Sequence, residues 1–112
     1  MRKDKNNTLR RNLKEMKVVF LEPAYLEYRE AIEFYNLQSE GLGNKFIAEI
    51  DRTISIIKNY PESFTEYTKH TRKAVVNIFP YNVIYSFNDN TITVFAVAHQ
   101  HRKPNFWLDR EI

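Results

Sequence analysis

Alternation and helical spacing divide the chain into two helices and a set of short strands. "KVVFL" (Lys17–Leu21) is a β-branched and aromatic run of strand character. Pro23 follows where a helix tolerates it, in the first turn. Ala24, Tyr28, Ala31 and Tyr35, with Ile32 beside them, then recur at helical spacing, while Glu27, Glu30 and Glu33 fall on other faces. "SEGLG" (Ser39–Gly43) holds both glycines of the chain and breaks this helix with a tight turn. Phe46, Ile50, Ile54 and Ile57 mark a second amphipathic helix that ends before Pro61. So short a connection makes the two helices an antiparallel hairpin.

Beyond Pro61 the period changes to two. Arg72–Phe79, Tyr81–Phe87 and Thr91–His99 read as strands, with "NDN" (Asn88–Asn90) as a tight turn. Pro80 has no N–H to donate, so a bend or bulge is expected at Phe79–Pro80. The predicted order is β-α-α-β-β-β, an α+β domain with the helical hairpin on one face of a small, largely antiparallel sheet. Strict alternation in the last strand puts Ile92, Val94, Ala96 and Ala98 on one side, where the small alanines suit helix contact. It puts Phe95, Val97 and His99 on the other, an apolar face in need of cover. Phe106 and Trp107 could supply part of that cover.

Composition narrows the classes. The chain has 112 residues, 43% of them hydrophobic, which suits one domain with a modest core. Cysteine is absent, excluding disulfides and thiol chemistry. No apolar run nears the roughly 18 residues of a membrane span, so a soluble intracellular protein with no membrane partner is expected. The net charge of +3 comes from residues 1–15, which hold six Lys or Arg against two acids; the remainder carries −1. That segment has little to bury and is expected to be a disordered basic extension, with residues 16–112 as the domain. Met16 before "KVVFL" reads as a natural start, and a basic nucleic-acid arm is the alternative reading of residues 1–15. Within the domain, residues 22–65 are acidic, and residues 66–112 are basic and hold all three histidines.

The candidate chemistry gathers at the end of the last strand, in "AHQHRKPNFW" (Ala98–Trp107). His99, His101 and Arg102 could serve phosphate or proton transfer. In the plain structural reading, His99 bonds to the following loop and Arg102 pairs with Asp109 or Glu111. Phe106 and Trp107 then pack, and Tyr81 and Tyr85 are core or interface residues. No metal site is expected, because His70 is remote from the His99 and His101 pair. "EGLGNKF" lacks the pattern of a phosphate loop.

The ordered motifs "FPY…IY" and "I.V.AV.H..R.P..W..R", preceded by "A…Y.EAIEFY…Q…GLGNKF…YP", resemble the RelE/ParE family of bacterial toxins from type II toxin–antitoxin modules. The likeness is nearest to the ParE, or plasmid-stabilisation, branch and runs from Met16 to Arg110. It implies a cytoplasmic protein with the same β-α-α-β-β-β fold and no cofactor. It also implies a cognate antitoxin whose extended segment wraps the toxin. RelE-like members cleave mRNA on the ribosome by attack of a ribose 2′-OH on the neighbouring phosphate, which needs proton transfer and cations. They commonly carry a basic residue directly after the central-strand tyrosine and a Tyr or His near the C-terminus. Here Asn82 follows Tyr81, and Phe106 and Trp107 hold the terminal position. Arg72, His99 and Arg102 are the catalytic candidates if the chain is such an RNase.

ParE-like members resemble binding inhibitors of DNA gyrase, and that non-enzymatic reading is preferred. Ribosome-dependent mRNA cleavage and a non-toxic domain derived from such a module are the alternatives. The expected contacts with target or antitoxin are Arg72, Tyr81, Tyr85, Phe95, Val97, His99, Arg102, Trp107 and Arg110. Self-association as a homodimer stays open.

Overall fold

The computed structural model describes residues 16–103 and 106–110; the expected extension over residues 1–15 lies outside them. Strand β1 (Lys17–Phe20) leads into helices α1 (Glu22–Gln38) and α2 (Leu42–Asn59). Strands β2 (Thr65–Glu66), β3 (Arg72–Val75), β4 (Tyr81–Asn88) and β5 (Thr91–His99) follow, then a 3-10 turn at Leu108–Arg110. The five-stranded sheet has the order β1-β5-β4-β3-β2, with β1 parallel to β5 and the other neighbours antiparallel. The α+β class and the order of the longer elements follow the sequence reading. The two-residue β2 is an addition, and the parallel pair makes the sheet mixed.

The helices form where the apolar stripes predict. Pro23 lies in the first turn of α1, and Ala24 and Ala31 are buried against the sheet, letting the backbone approach closely. Phe46, Ile50 and Ile57 are buried along α2. The turn between them depends on both glycines. Gly41 takes φ 83°, a left-handed conformation that costs other residues a Cβ clash. Gly43 donates its N–H to Asn36 Oδ1 at 2.9 Å, in space that a Cβ would fill.

Strand β3 stops at Val75 rather than Phe79. Phe79 N–H donates to Asn77 O and Tyr81 N–H to Phe79 O, both at 2.8 Å, so two γ-turns replace the expected strand end. Ile78 sits at the first with φ 73°. The bend expected at Phe79–Pro80 is this loop.

One irregularity reassigns the faces of β5. Tyr85 pairs with Val94 but Ile84 pairs with Ala96, which leaves Phe95 as an extra residue, a β-bulge. Ile92 and Val94 face the helices as expected, but beyond the bulge Val97 joins them. Ala96 and Ala98 instead share the opposite face with Phe95 and Ile84. The expected contact of Ala96 and Ala98 with the helices is therefore wrong, as is the placing of Val97 on one face with Phe95. Val97 packs under the helices, and Trp107, with Phe106 beside it, covers Phe95.

Candidate functional site

After His99 the chain turns sharply. Arg102 N–H bonds to His99 O at 2.9 Å, and Gln100 N–H to Pro80 O at 2.8 Å. His101 N–H donates to His99 Nδ1 at 3.1 Å, so a neutral His99 carries its proton on Nε2. That bond to the following loop is the plain structural reading of His99. The chain then lays Trp107 over the outer sheet face, where it stacks on Tyr67 with ring centroids 4.9 Å apart. Packing is thus the role the geometry gives Phe106 and Trp107. The Trp107 Nε1–H and the Asn82 Oδ1 are buried without a hydrogen-bond partner among the described residues.

Glu27 ties this C-terminal strap to α1. Strand β1 ends at Phe20, opposite Val94, so among the described residues the edge of β5 beyond that point lacks a neighbouring strand. Side chains occupy it instead. Val97 N–H donates to Glu27 Oε1 at 3.1 Å, and Arg110 Nη1 donates to Phe95 O at 2.8 Å. Arg110 also grips both carboxylate oxygens of Glu27, at 3.1 and 3.0 Å. Arg102 adds one longer contact to Glu27 Oε2 at 3.4 Å. The Glu27 and Arg110 side chains are 12% and 16% exposed, whereas Arg102 is 50% exposed. Removing one partner from so enclosed a pair is expected to cost up to about 3–5 kcal/mol, the range for a fully buried pair. Phe106 lies under both cations, its ring centre 3.9 Å from the Arg102 guanidinium carbon and 5.1 Å from that of Arg110. Arg102 pairs with Glu27 rather than with Asp109, and the alternative pairing with Glu111 lies outside the described residues. The apolar pattern gave no hint of Glu27 beyond its place off the core stripe.

Beside the clamp runs a groove of about 350 Å³, lined by Glu27, Glu30, Phe34, Tyr81, His99 and Arg102, with Ala31 and Val97 at its floor. Carboxylates stand on its helix side, and an imidazole and a guanidinium on its strand side. The Tyr81 ring meets His99 edge-on at 5.3 Å. Burial first, and the nearby Tyr35 second, raise the Tyr81 hydroxyl above the usual tyrosine pKa, so it stays neutral at physiological pH. Among the described residues, no three His, Cys, Asp or Glu side chains gather as a metal site.

Arg72 belongs elsewhere. Its Nη1 donates to Glu62 O at 3.0 Å and Phe64 O at 2.8 Å, and its Nη2 pairs with Glu66 at 3.4 Å. It stands opposite Tyr85, whose hydroxyl donates to Pro61 O at 2.6 Å. Burial pushes the Tyr85 hydroxyl up to about 12, partly offset by the Arg72 charge. Arg72 and Tyr85 therefore pin the segment that follows α2. A separate depression of about 260 Å³ contains Arg72 with Glu66, Lys69 and His70, and it shares no residue with the groove of His99 and Arg102. Of the sequence candidates, Tyr81, Val97, His99 and Arg102 meet at the groove, and Phe95, Trp107 and Arg110 form the strap and its anchorage. Arg72 and Tyr85 stand apart.

Searched against curated proteins, the chain matches none. Among solved structures it is similar to a chain of the chromosomal ParDE TA system from P. aeruginosa, with a TM-score of 0.65 at 9% identity. That alignment covers 75% of this chain and 95% of the other, a likeness of fold. Residues 18–104 match the family described as "ParE toxin of type II toxin-antitoxin system, parDE". With most of its length inside that match, the chain belongs to the ParE toxins, the toxin components of type II toxin–antitoxin systems.

Proposed function

We propose that this toxin poisons its target by binding, that the target is DNA gyrase, and that a cognate antitoxin neutralises it in the cytoplasm. The observation that carries this reading is the separation of Arg72 from His99 and Arg102. Cleavage of RNA by its own 2′-OH needs a proton acceptor, a proton donor and cations around one phosphate. Arg72 is committed to two backbone carbonyls and Glu66 in another part of the sheet. Arg102 faces the Glu27 carboxylate, and the His99 Nδ1 is engaged by the His101 amide. Phe106 and Trp107 bring no titratable group. What remains open is the groove itself, with the half-exposed Arg102 and partly exposed His99 on one side and the exposed Phe34 among its lining. Such a surface suits protein contact, where Arg and aromatic residues dominate the energy.

The test sets two assays side by side. Purified toxin is expected to inhibit supercoiling by gyrase, and to leave mRNA on translating ribosomes without new 5′ ends. Co-expression with the protein of the adjoining reading frame is expected to give a single complex on size exclusion and to abolish the inhibition. Ribosome-dependent cuts that vanish in His99→Ala would overturn the reading.

A further inference from the structure

We infer that Glu27, on α1, is the positioning residue for the target-contacting strap. Its carboxylate sets where Arg102 and Trp107 stand, although they follow it by some 75 to 80 positions in the chain. The inference rests on the proposed binding role of that strap. Three observations converge. The first is that one carboxylate receives the Val97 amide at the bulged edge, both Arg110 nitrogens and Arg102, so it links helix, sheet and strap.

The second is the inequality of its two cations. Arg110 is held by two close contacts and also caps Phe95 O, whereas Arg102 makes one contact at 3.4 Å and is half exposed. Arg110 is the fixed end of the clamp, and Arg102 is held in place yet available to a partner. The third is that Phe106 is layered against both guanidiniums, and its neighbour Trp107 sits on Tyr67 and the outer sheet face. Positions along the strap are therefore coupled to Glu27 through side chains rather than through sheet hydrogen bonds. Among the described residues of the strap, the last hydrogen bond to a strand backbone besides that of Arg110 is Arg102 N–H to His99 O.

Trp107 supplies the readout, because it is the only tryptophan in the chain and only 2% of its surface is exposed. Glu27→Gln, Arg110→Ala and the double variant are compared with the parent by Trp emission, acrylamide quenching and gyrase supercoiling. The expected result is a shift to longer emission wavelength and at least a doubling of quenching in each variant, with far-UV circular dichroism unchanged. The concentration needed for inhibition should rise about tenfold in each single variant, because Arg102 then no longer stands where the target meets it. Because both substitutions open the same clamp, the double variant should be no weaker than the worse single one.

Parent-like Trp107 emission in Glu27→Gln, beside an exposed Trp107 in Arg110→Ala, would overturn the inference. So would losses that simply add in the double variant, or full inhibition by a Glu27→Gln protein whose Trp107 is exposed. If the parent does not inhibit gyrase, the proposed target fails, while the emission arm still decides whether Glu27 holds the strap.

Discussion

Tyr67 and Trp107 stack with their ring planes 21° apart, joining the loop before β3 to the last turn of the described chain. Trp107 is the largest fully buried side chain of the domain, and it closes a face that would otherwise expose Phe95, Ala96 and Ala98.

Replacing Trp107 should therefore act first on stability. Trp107→Ala should cost about 3–5 kcal/mol, the range for emptying a large aromatic site. Trp107→Phe should cost much less. It keeps a stack on Tyr67 and deletes an indole N–H that has no partner among the described residues. Urea unfolding followed by far-UV circular dichroism separates the two, and equal losses would contradict this account.

The helices were legible because Ala24, Tyr28, Ala31 and Tyr35, and then Phe46, Ile50 and Ile57, repeat at one period with a clean polar remainder. Strand β5 has the predicted bounds of Thr91–His99, yet its faces were misread. Both of its faces are apolar, so the sequence carries no mark of where alternation skips at Phe95. Only the register against β4, Tyr85 with Val94 and Ile84 with Ala96, reveals it. Glu27 was missed for a related reason. Its partners lie 70 to 83 positions away, and periodicity registers only neighbours on the same element. Of the site, the composition of the His99–Trp107 stretch was legible. The division of its cations between a structural clamp and an open groove was not.

Tyr85 makes stability fall at alkaline pH. Its hydroxyl titrates near 10 when unfolded and about 12 when folded, because burial disfavours the phenolate. The neutral form is favoured in the folded protein, so this contribution is complete below pH 10 and is lost as the pH climbs to about 12. The loss amounts to roughly 2–3 kcal/mol for a shift of this size. Tyr85→Phe should cost about 1–2 kcal/mol at neutral pH through the orphaned Pro61 carbonyl. It should also flatten the decline between pH 10 and 12, leaving the smaller slope from Tyr28, Tyr35 and Tyr81, all raised by burial. Parallel parent and variant curves across that window would count against the assignment.

Ile78 holds φ 73° at a γ-turn with 66% of its surface exposed. A β-branched residue there strains the backbone by roughly 1–2 kcal/mol, with little burial to offset it. Asn is several-fold enriched among the non-glycine residues found at positive φ. Ile78→Asn should keep or raise the melting temperature, by up to about 4 °C per kcal/mol relieved. Ile78→Val, which keeps the branch, should bring no gain. A clear fall in the Asn variant would assign Ile78 a packing role.

Arg72 and Arg102 should separate stability from target binding. The Arg72 side chain, 22% exposed, satisfies two loop carbonyls and pairs with Glu66. Arg72→Ala should cost about 2–3 kcal/mol, the range for hydrogen bonds from a charged donor. Arg102 makes one long ion-pair contact and is half exposed, so Arg102→Ala should cost about 1 kcal/mol or less. Inhibition should follow the opposite order. At a temperature where both variants are folded, Arg72→Ala should inhibit gyrase like the parent, and Arg102→Ala should need tenfold more protein or worse. The same pair tests the nuclease alternative, in which both guanidiniums would have to reach one phosphate. Ribosomal mRNA cleavage by the parent, lost about 10²-fold in both variants, would bring Arg72 into the site after all. Absence of cleavage by the parent would leave Arg72 as the pin of the segment after α2 and Arg102 as the contact that the groove presents.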